Sequence, residues 1–373
     1  MRTRVLALAI CTTAVLLSSC TTGAAEQLPA PSGVATRADT VQADLDGLIG
    51  SGAVGALATL TDNGTIVLAA GTTDLTTPMP TDPPQHVRVG SITKTFTAAV
   101  VLQLVAEGKV ELDRPVDEYL PGLLTGDGID GRVITVRQIL GHRSGLPEPI
   151  DALGVNEHTA ARLGRTFTPA QEIALALRYP ARFGPGARFE YTNTNYIVAG
   201  MLIEAVTGRG YGDELRERIF APLGLSGTYL PATGETGLRD PHPTGYTTVD
   251  GTVTDETLME PSVPWASGAL VSTGADLNRF YTALLAGRVV SLTQLLPMLD
   301  GVDMGGDDGM SYGLGVGYTR LPCGARFVGH VGGVRGFTAV AGATEAGRAV
   351  TFSFTGTPTA TEIGTLLTHA LCD

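Results

Sequence analysis

The sequence predicts an α+β chain in which one mixed sheet is assembled from the two ends and a mainly helical segment is inserted between them. Two observations carry this. Strand-like runs bounded by turn residues occur near the start, at residues 54–60 and 65–70, and return only near the end, at residues 326–331, 337–343 and 349–354. Between them the chain is helix- and turn-rich, which makes residues 113–261 an insertion packed against the sheet.

Taken in order, the chain opens on an address label. Arg2 and Arg4 precede an uncharged, largely apolar stretch at residues 5–17, too short to span a bilayer, and then Leu17-Ser18-Ser19-Cys20. This resembles a bacterial lipoprotein signal. The resemblance implies a signal peptide at residues 1–19, lipidation of Cys20 and an exported protein anchored by lipid to the outer face of the cell membrane. An ordinary secretory signal is the alternative.

Residues 20–38 are rich in Thr, Ala, Pro and Gly and read as a flexible tether. The folded domain then runs over residues 39–373. Val41, Leu45, Leu48 and Ile49 recur at helical spacing, Asp62-Asn63-Gly64 marks a hairpin between the first two strands, and residues 362–371 close the chain as a helix.

Composition narrows the function. The formal charge is -12, and removing residues 1–19 takes away two arginines and no acid. A chain this acidic is a poor phosphate binder, so no nucleic-acid partner is expected. After processing and lipidation of Cys20, only Cys323 and Cys372 remain as free partners. In an oxidising compartment they pair most simply as one disulfide, contributing on the order of 4 kcal/mol; two buried thiols are the alternative.

Only two lysines occur, and Lys94 stands three residues after Ser91 at the start of an apolar, helix-compatible run that lasts to Gly108. Residues three apart share a helix face, so the amine can take the proton of the serine hydroxyl. The helix start supplies free N–H groups for a developing negative charge, and apolar neighbours such as Phe96 and Val100 would desolvate Lys94 and lower its pKa. A solvated helix lysine is the competing reading.

Two further motifs accompany this pair. In Tyr191-Thr192-Asn193 the phenol suits proton transfer to a leaving group and the amide suits a substrate carbonyl, although Asn193 capping the following helix explains it as well. In His330-Val331-Gly332-Gly333, glycines let a substrate approach the strand and offer a backbone N–H as a second oxyanion donor.

In this order the three motifs resemble the penicillin-recognising serine hydrolases, specifically the branch of class C beta-lactamases, D-alanyl-D-alanine carboxypeptidases and related esterases. Residues 134–146 (ITVRQILGHRSGL), Pro264-Trp265-Ala266-Ser267-Gly268 and Tyr312-Gly313-Leu314-Gly315 are similar to that family too. The resemblance implies a mainly antiparallel sheet flanked by helices, with a helical region and a cleft at their junction. It implies Ser91 as nucleophile, Lys94 as the amine sharing its proton, and Tyr191 as general acid/base. Asn193, Trp265 and His330 become substrate contacts, and the Ser91 and Gly333 N–H groups form the oxyanion hole.

The expected reaction is hydrolysis of small amides or esters, of carboxypeptidase or esterase type, through a Ser91 acyl-enzyme. The expected partner is a small molecule or a peptide such as a peptidoglycan stem peptide. Neither metal nor organic cofactor is called for, and a monomer is expected. Val331 and Gly333 offer no hydroxyl to a substrate carboxylate, so an anion site would rest on Arg335. Three rivals are weighed. One is a true class C-like beta-lactamase. Another is a lipoprotein that binds beta-lactams or peptidoglycan peptides without turnover. The third is a nucleophile elbow at Gly309-Met310-Ser311-Tyr312-Gly313, which requires a strand before it and a helix after it.

Overall fold

The computed structural model describes residues 32–149, 154, 156–249, 251–305, 309–359 and 361–372. The expected signal peptide, the lipidation cysteine Cys20 and the start of the tether lie outside the described residues. The helices that position the site and the sheet are α1 (Ser32–Gly50), α2 (Thr93–Ala106), α3 (Glu157–Leu163), α4 (Pro169–Ala176), α5 (Asn193–Thr207), α6 (Gly274–Leu285) and α7 (Ile363–Leu371). Because α1 begins at Ser32, the expectation of a tether up to residue 38 is corrected. Arg37 is already buried and pairs with Asp62 at 3.4 Å, which holds this turn to the β-hairpin.

The strands of the large sheet are β1 (Ala53–Thr61), β2 (Thr65–Gly71), β3 (Val302–Asp303), β4 (Ser311–Tyr312), β5 (Gly317–Arg320), β6 (Arg326–Val334), β7 (Phe337–Thr344) and β8 (Ala349–Gly356). They form one sheet in the order β2-β1-β8-β7-β6-β5-β4-β3. Every pairing is antiparallel, so the sheet is not mixed. Strands adjacent in the sheet are mostly consecutive in the chain, and short connections permit only antiparallel neighbours. The two ends meet where β1 pairs with β8, Ala56 opposite Phe354.

Both faces of the sheet are covered, and β1 is therefore buried almost continuously rather than alternately. On one face Val41 and Leu45 of α1 and Leu366 and Leu367 of α7 pack on Ala56, Ala58 and Phe352. A disulfide joins Cys323, in the turn before β6, to Cys372 at the end of α7. On the other face lies α6, which leads into the core around α2.

Helix α2 is buried on all sides, from Thr93 through Leu102. Phe96 at its start stacks on Phe280 of α6, with ring centroids 3.7 Å apart and planes 11° from parallel, and meets Phe220 edge-on at 6.0 Å. Phe96→Ala is expected to cost about 3–5 kcal/mol of folding free energy, the range for a deleted core aromatic. A urea-unfolding midpoint is the check, and a loss under about 1 kcal/mol would show that this contact does not anchor the helix.

Candidate active site

Ser91 sits in the single 3-10 turn Gly90–Ile92 that leads into α2. The turn is pinned from two sides. Thr93 Oγ1 donates to Gly90 O at 2.7 Å and accepts from Leu270 N at 3.1 Å, while Val89 N donates to Leu270 O at 3.1 Å. Across it runs β6, close enough that a Cβ on Gly90 would lie 2.7 Å from Gly333 N. Gly90 also has φ +50°, so two demands fix glycine there. The contact brings the backbone of Gly333 against the turn that bears Ser91.

Lys94 lies one turn further along α2 and is wholly buried. Its Nζ is 2.9 Å from Ser91 Oγ, 2.7 Å from Asn193 Oδ1 and 2.7 Å from Ser267 O. Burial draws its pKa down to about 7, with Glu148 pulling weakly the other way. A neutral amine has two N–H bonds and one lone pair. With Asn193 Oδ1 and Ser267 O taking the two donors, the lone pair faces the Ser91 hydroxyl.

The Tyr191 hydroxyl also hydrogen-bonds Ser91, and desolvation raises its pKa, so it stays a neutral phenol. Behind its ring stands His142, with ring centroids 4.1 Å apart. Asn193 is not the helix cap. Thr192 caps α5, accepting from Thr194 N, and Asn193 is the first helical residue with its side chain free to reach Lys94.

Several expectations are corrected. Trp265 does not line the cavity that holds Ser91. Its short helix, Trp265–Gly268, turns the Ser267 carbonyl to Lys94 and sends the indole the other way, against Gly200 of α5 and edge-on to Tyr211 at 5.2 Å. His330 is buried behind Tyr191 and does not line the cavity either. Its Nδ1 lies 2.6 Å from Val331 O and its Nε2 3.0 Å from the Tyr312 hydroxyl, and burial and Lys94 lower its pKa to about 3.

Arg335 falls in the turn beyond the end of β6, and its Nη2 is held by Glu256 Oε1 at 3.2 Å. Arg335→Ala is therefore expected to lower kcat/KM for carboxylate-bearing and neutral substrates alike, by less than about fivefold. A selective loss on carboxylates would restore an anion role. The rival at Ser311 fails on context, because the residue lies in the two-residue strand β4 and is followed by β5, not by a helix.

Ser91, Asn193 and Gly333 line a cavity of about 200 Å³ together with Glu148, Glu157, Pro264 and Ser267. Tyr191 lines an adjoining space of about 300 Å³, and Glu148 borders both. A larger groove of about 780 Å³ near Tyr211 and Leu225 contains neither Ser91 nor Lys94. Glu148 was not legible as a site residue. It accepts from Asn193 N at 2.7 Å and from Asn193 Nδ2 at 3.1 Å, and so holds the amide with its oxygen toward Lys94. The one available signal was its position just after the segment 134–146.

Residues 38–370 match the family model described as Beta-lactamase. Among solved structures, a D-stereospecific amidohydrolase from Streptomyces sp. is 35% identical, with 90% of this chain and 98% of that one covered and a TM-score of 0.83. The D-amino acid amidase from Ochrobactrum anthropi complexed with L-phenylalanine amide is 29% identical, with 90% and 94% covered and a TM-score of 0.75. Among curated proteins, the D-aminopeptidase of Brucella anthropi is 34% identical over 195 residues, 52% of this chain and 35% of that one. The chain thus spans about a third of that relative's length, and 37% of the unguisins hydrolase of Aspergillus campestris.

Proposed function

The chain belongs to the beta-lactamase family of serine hydrolases, and from that premise we propose that it cleaves small amides and peptides through an acyl-enzyme on Ser91. The observation that carries this reading is the Lys94 amine, held by Asn193 Oδ1 and Ser267 O with its remaining position 2.9 Å from Ser91 Oγ. In the proposed sequence the Ser91 proton passes to neutral Lys94 as Oγ attacks the carbonyl carbon. The oxyanion is held by the N–H groups of Ser91 and Gly333. Tyr191 gives its proton to the departing nitrogen, and the proton that Lys94 took from Ser91 returns to the Tyr191 oxygen, which leaves Lys94 neutral again. Water then attacks the ester and gives a proton to neutral Lys94, which passes it to Ser91 Oγ as the C–O bond breaks, so that Ser91 is regenerated and the acid product leaves.

The relatives named for amidase and aminopeptidase activity favour amides over esters as the main substrates. A carboxypeptidase acting on D-Ala-D-Ala ends is less well supported, because none of the described residues lining the Ser91 cavity is basic. Intact-mass analysis after incubation with a D-amino acid amide, an activated ester, a penicillin and a D-Ala-D-Ala peptide tests the reading. Acylation of Ser91 with turnover of the amide and the ester is expected, with slow or no turnover of the penicillin. Labelling retained in Ser91→Ala would refute the nucleophile.

We propose further that the protein is exported and anchored through lipid on Cys20. The support is the motif Leu17-Ser18-Ser19-Cys20 together with a disulfide in the fold. Cys20→Ser is expected to move the protein out of the membrane fraction or leave it unprocessed. Normal processing with unchanged membrane association points to another anchor.

A further inference from the structure

The small cavity in front of Ser91 is walled by acid. Among the described residues that line it, the two ionisable side chains besides the serine are both carboxylates, Glu148 and Glu157, and none is a lysine or arginine. Lys94, the nearby amine, is buried beneath the cavity floor and spends its contacts on Ser91, Asn193 and Ser267. Glu148 is bound through both oxygens to Asn193, each oxygen keeping a free lone pair.

Glu157 is in a different position. It is the first residue of α3, after the cap Asn156, and its side chain keeps 14% of its surface exposed. Its ion-pair contact among the described residues is His158 Nε2 at 3.6 Å. Burial lowers the pKa of that imidazole, so it is a weak partner for the carboxylate. The arginines around the wall are committed elsewhere. Arg88 is buried, feels Glu157 at a distance, and donates to the carbonyls of Thr236 and Thr257. Arg162 and Arg335 are both drawn to Glu256.

A carboxylate that lines the same small cavity as the nucleophile, with no lysine or arginine paired to it among the described residues, attracts a cationic substrate group and repels an anionic one. We propose that Glu157, with Glu148 beside it, receives the ammonium of the substrate, so that the enzyme selects amides and peptides bearing a free amino group next to the scissile carbonyl. This rests on the reading of Ser91 as the acylated nucleophile. An α-amino group is one carbon from the carbonyl that Ser91 attacks, so both ends of the ligand fit the one cavity. Glu157 is thereby a specificity-determining contact and takes no part in the proton transfers.

The test compares kcat/KM for an amino acid p-nitroanilide with that for its N-acetyl derivative, in the parent protein, Glu157→Gln and Glu157→Asp. The parent is expected to favour the free amine by about 10- to 150-fold, the scale of one charge-assisted contact. In Glu157→Gln that ratio falls toward one, and Glu157→Asp keeps part of it. A second readout is the pH profile. With the free amine, kcat/KM declines above about pH 8 as the substrate ammonium loses its proton, and the N-acetyl compound shows no such limb.

Equal rates on the two compounds in the parent overturn the proposal, as does an unchanged ratio in a folded Glu157→Gln. Labelling of Ser91 by a neutral activated ester separates the two readings. If labelling persists while discrimination is absent, the ammonium site alone falls. If the ester does not label Ser91, the nucleophile falls and this proposal with it.

Discussion

Lys94→Ala is expected to lower the rate of Ser91 acylation by about two to four orders of magnitude, the scale for removing a positioned base. The size follows from geometry. Two fixed acceptors, Asn193 Oδ1 and Ser267 O, take the amine's hydrogens and leave one direction open, and Ser91 Oγ lies along it at 2.9 Å. Burial brings the amine to about 7, so the neutral, proton-accepting form gains population as pH rises through 7. With a neutral ester, which has no titrating group, the acylation rate of the parent should climb with pH and level off above about 8, a unit above that midpoint. The variant should lose that limb. Pre-steady-state labelling measures both, and a loss under tenfold with the limb retained would assign the base to another group.

The second large effect belongs to a glycine. A Cβ on Gly332 would lie 1.9 Å from Val89 O and 2.9 Å from Ser91 N, in a contact of backbone on backbone where no side chain can yield. Gly332→Ala must therefore push β6 away from the turn that bears Ser91. That separates the N–H groups of Ser91 and Gly333, and loss of one oxyanion donor is worth about 10²–10³ in kcat. Overpacking adds a stability cost of about 1–3 kcal/mol. The neighbouring Gly333 provides contrast, because a Cβ there would meet nothing within 4 Å. Gly333→Ala is expected to keep the parent's melting temperature. If Gly332→Ala retains both activity and melting temperature, β6 has room to move and the close approach is not what assembles the site.

How much of this was readable in the chain depended on whether a local pattern carried it. The terminal strands are long and apolar, and β6, β7 and β8 begin where their residues predict. The Ser91–Lys94 pair is a helical spacing, and helical spacing is local. Strands β3 and β4 are two residues each and too short to show any period. Trp265 and Arg335 went wrong for a different reason. Each is adjacent in sequence to a true cavity residue, but a short helix turns one side chain away and a buried glutamate captures the other. Glu148 and Glu157 become site residues only through contacts made across the fold, and no pattern in their own segments announces that.

The pairing of β1 with β8 governs when the molecule can finish folding. Gly55 N donates to Thr355 Oγ1, a contact between residues 300 positions apart. The first strand is synthesised about 300 residues before its partner on that edge. Until residues 349–356 exist, β1 and β2 are a hairpin with an open edge and an uncovered face, and α1 has no α7 beside it. Closure of so long a loop is slow. The sheet therefore closes only after residues 349–356 have been made, and the cleft, whose Ser91 turn is braced by β6, stays incomplete until residues 326–334 are in place.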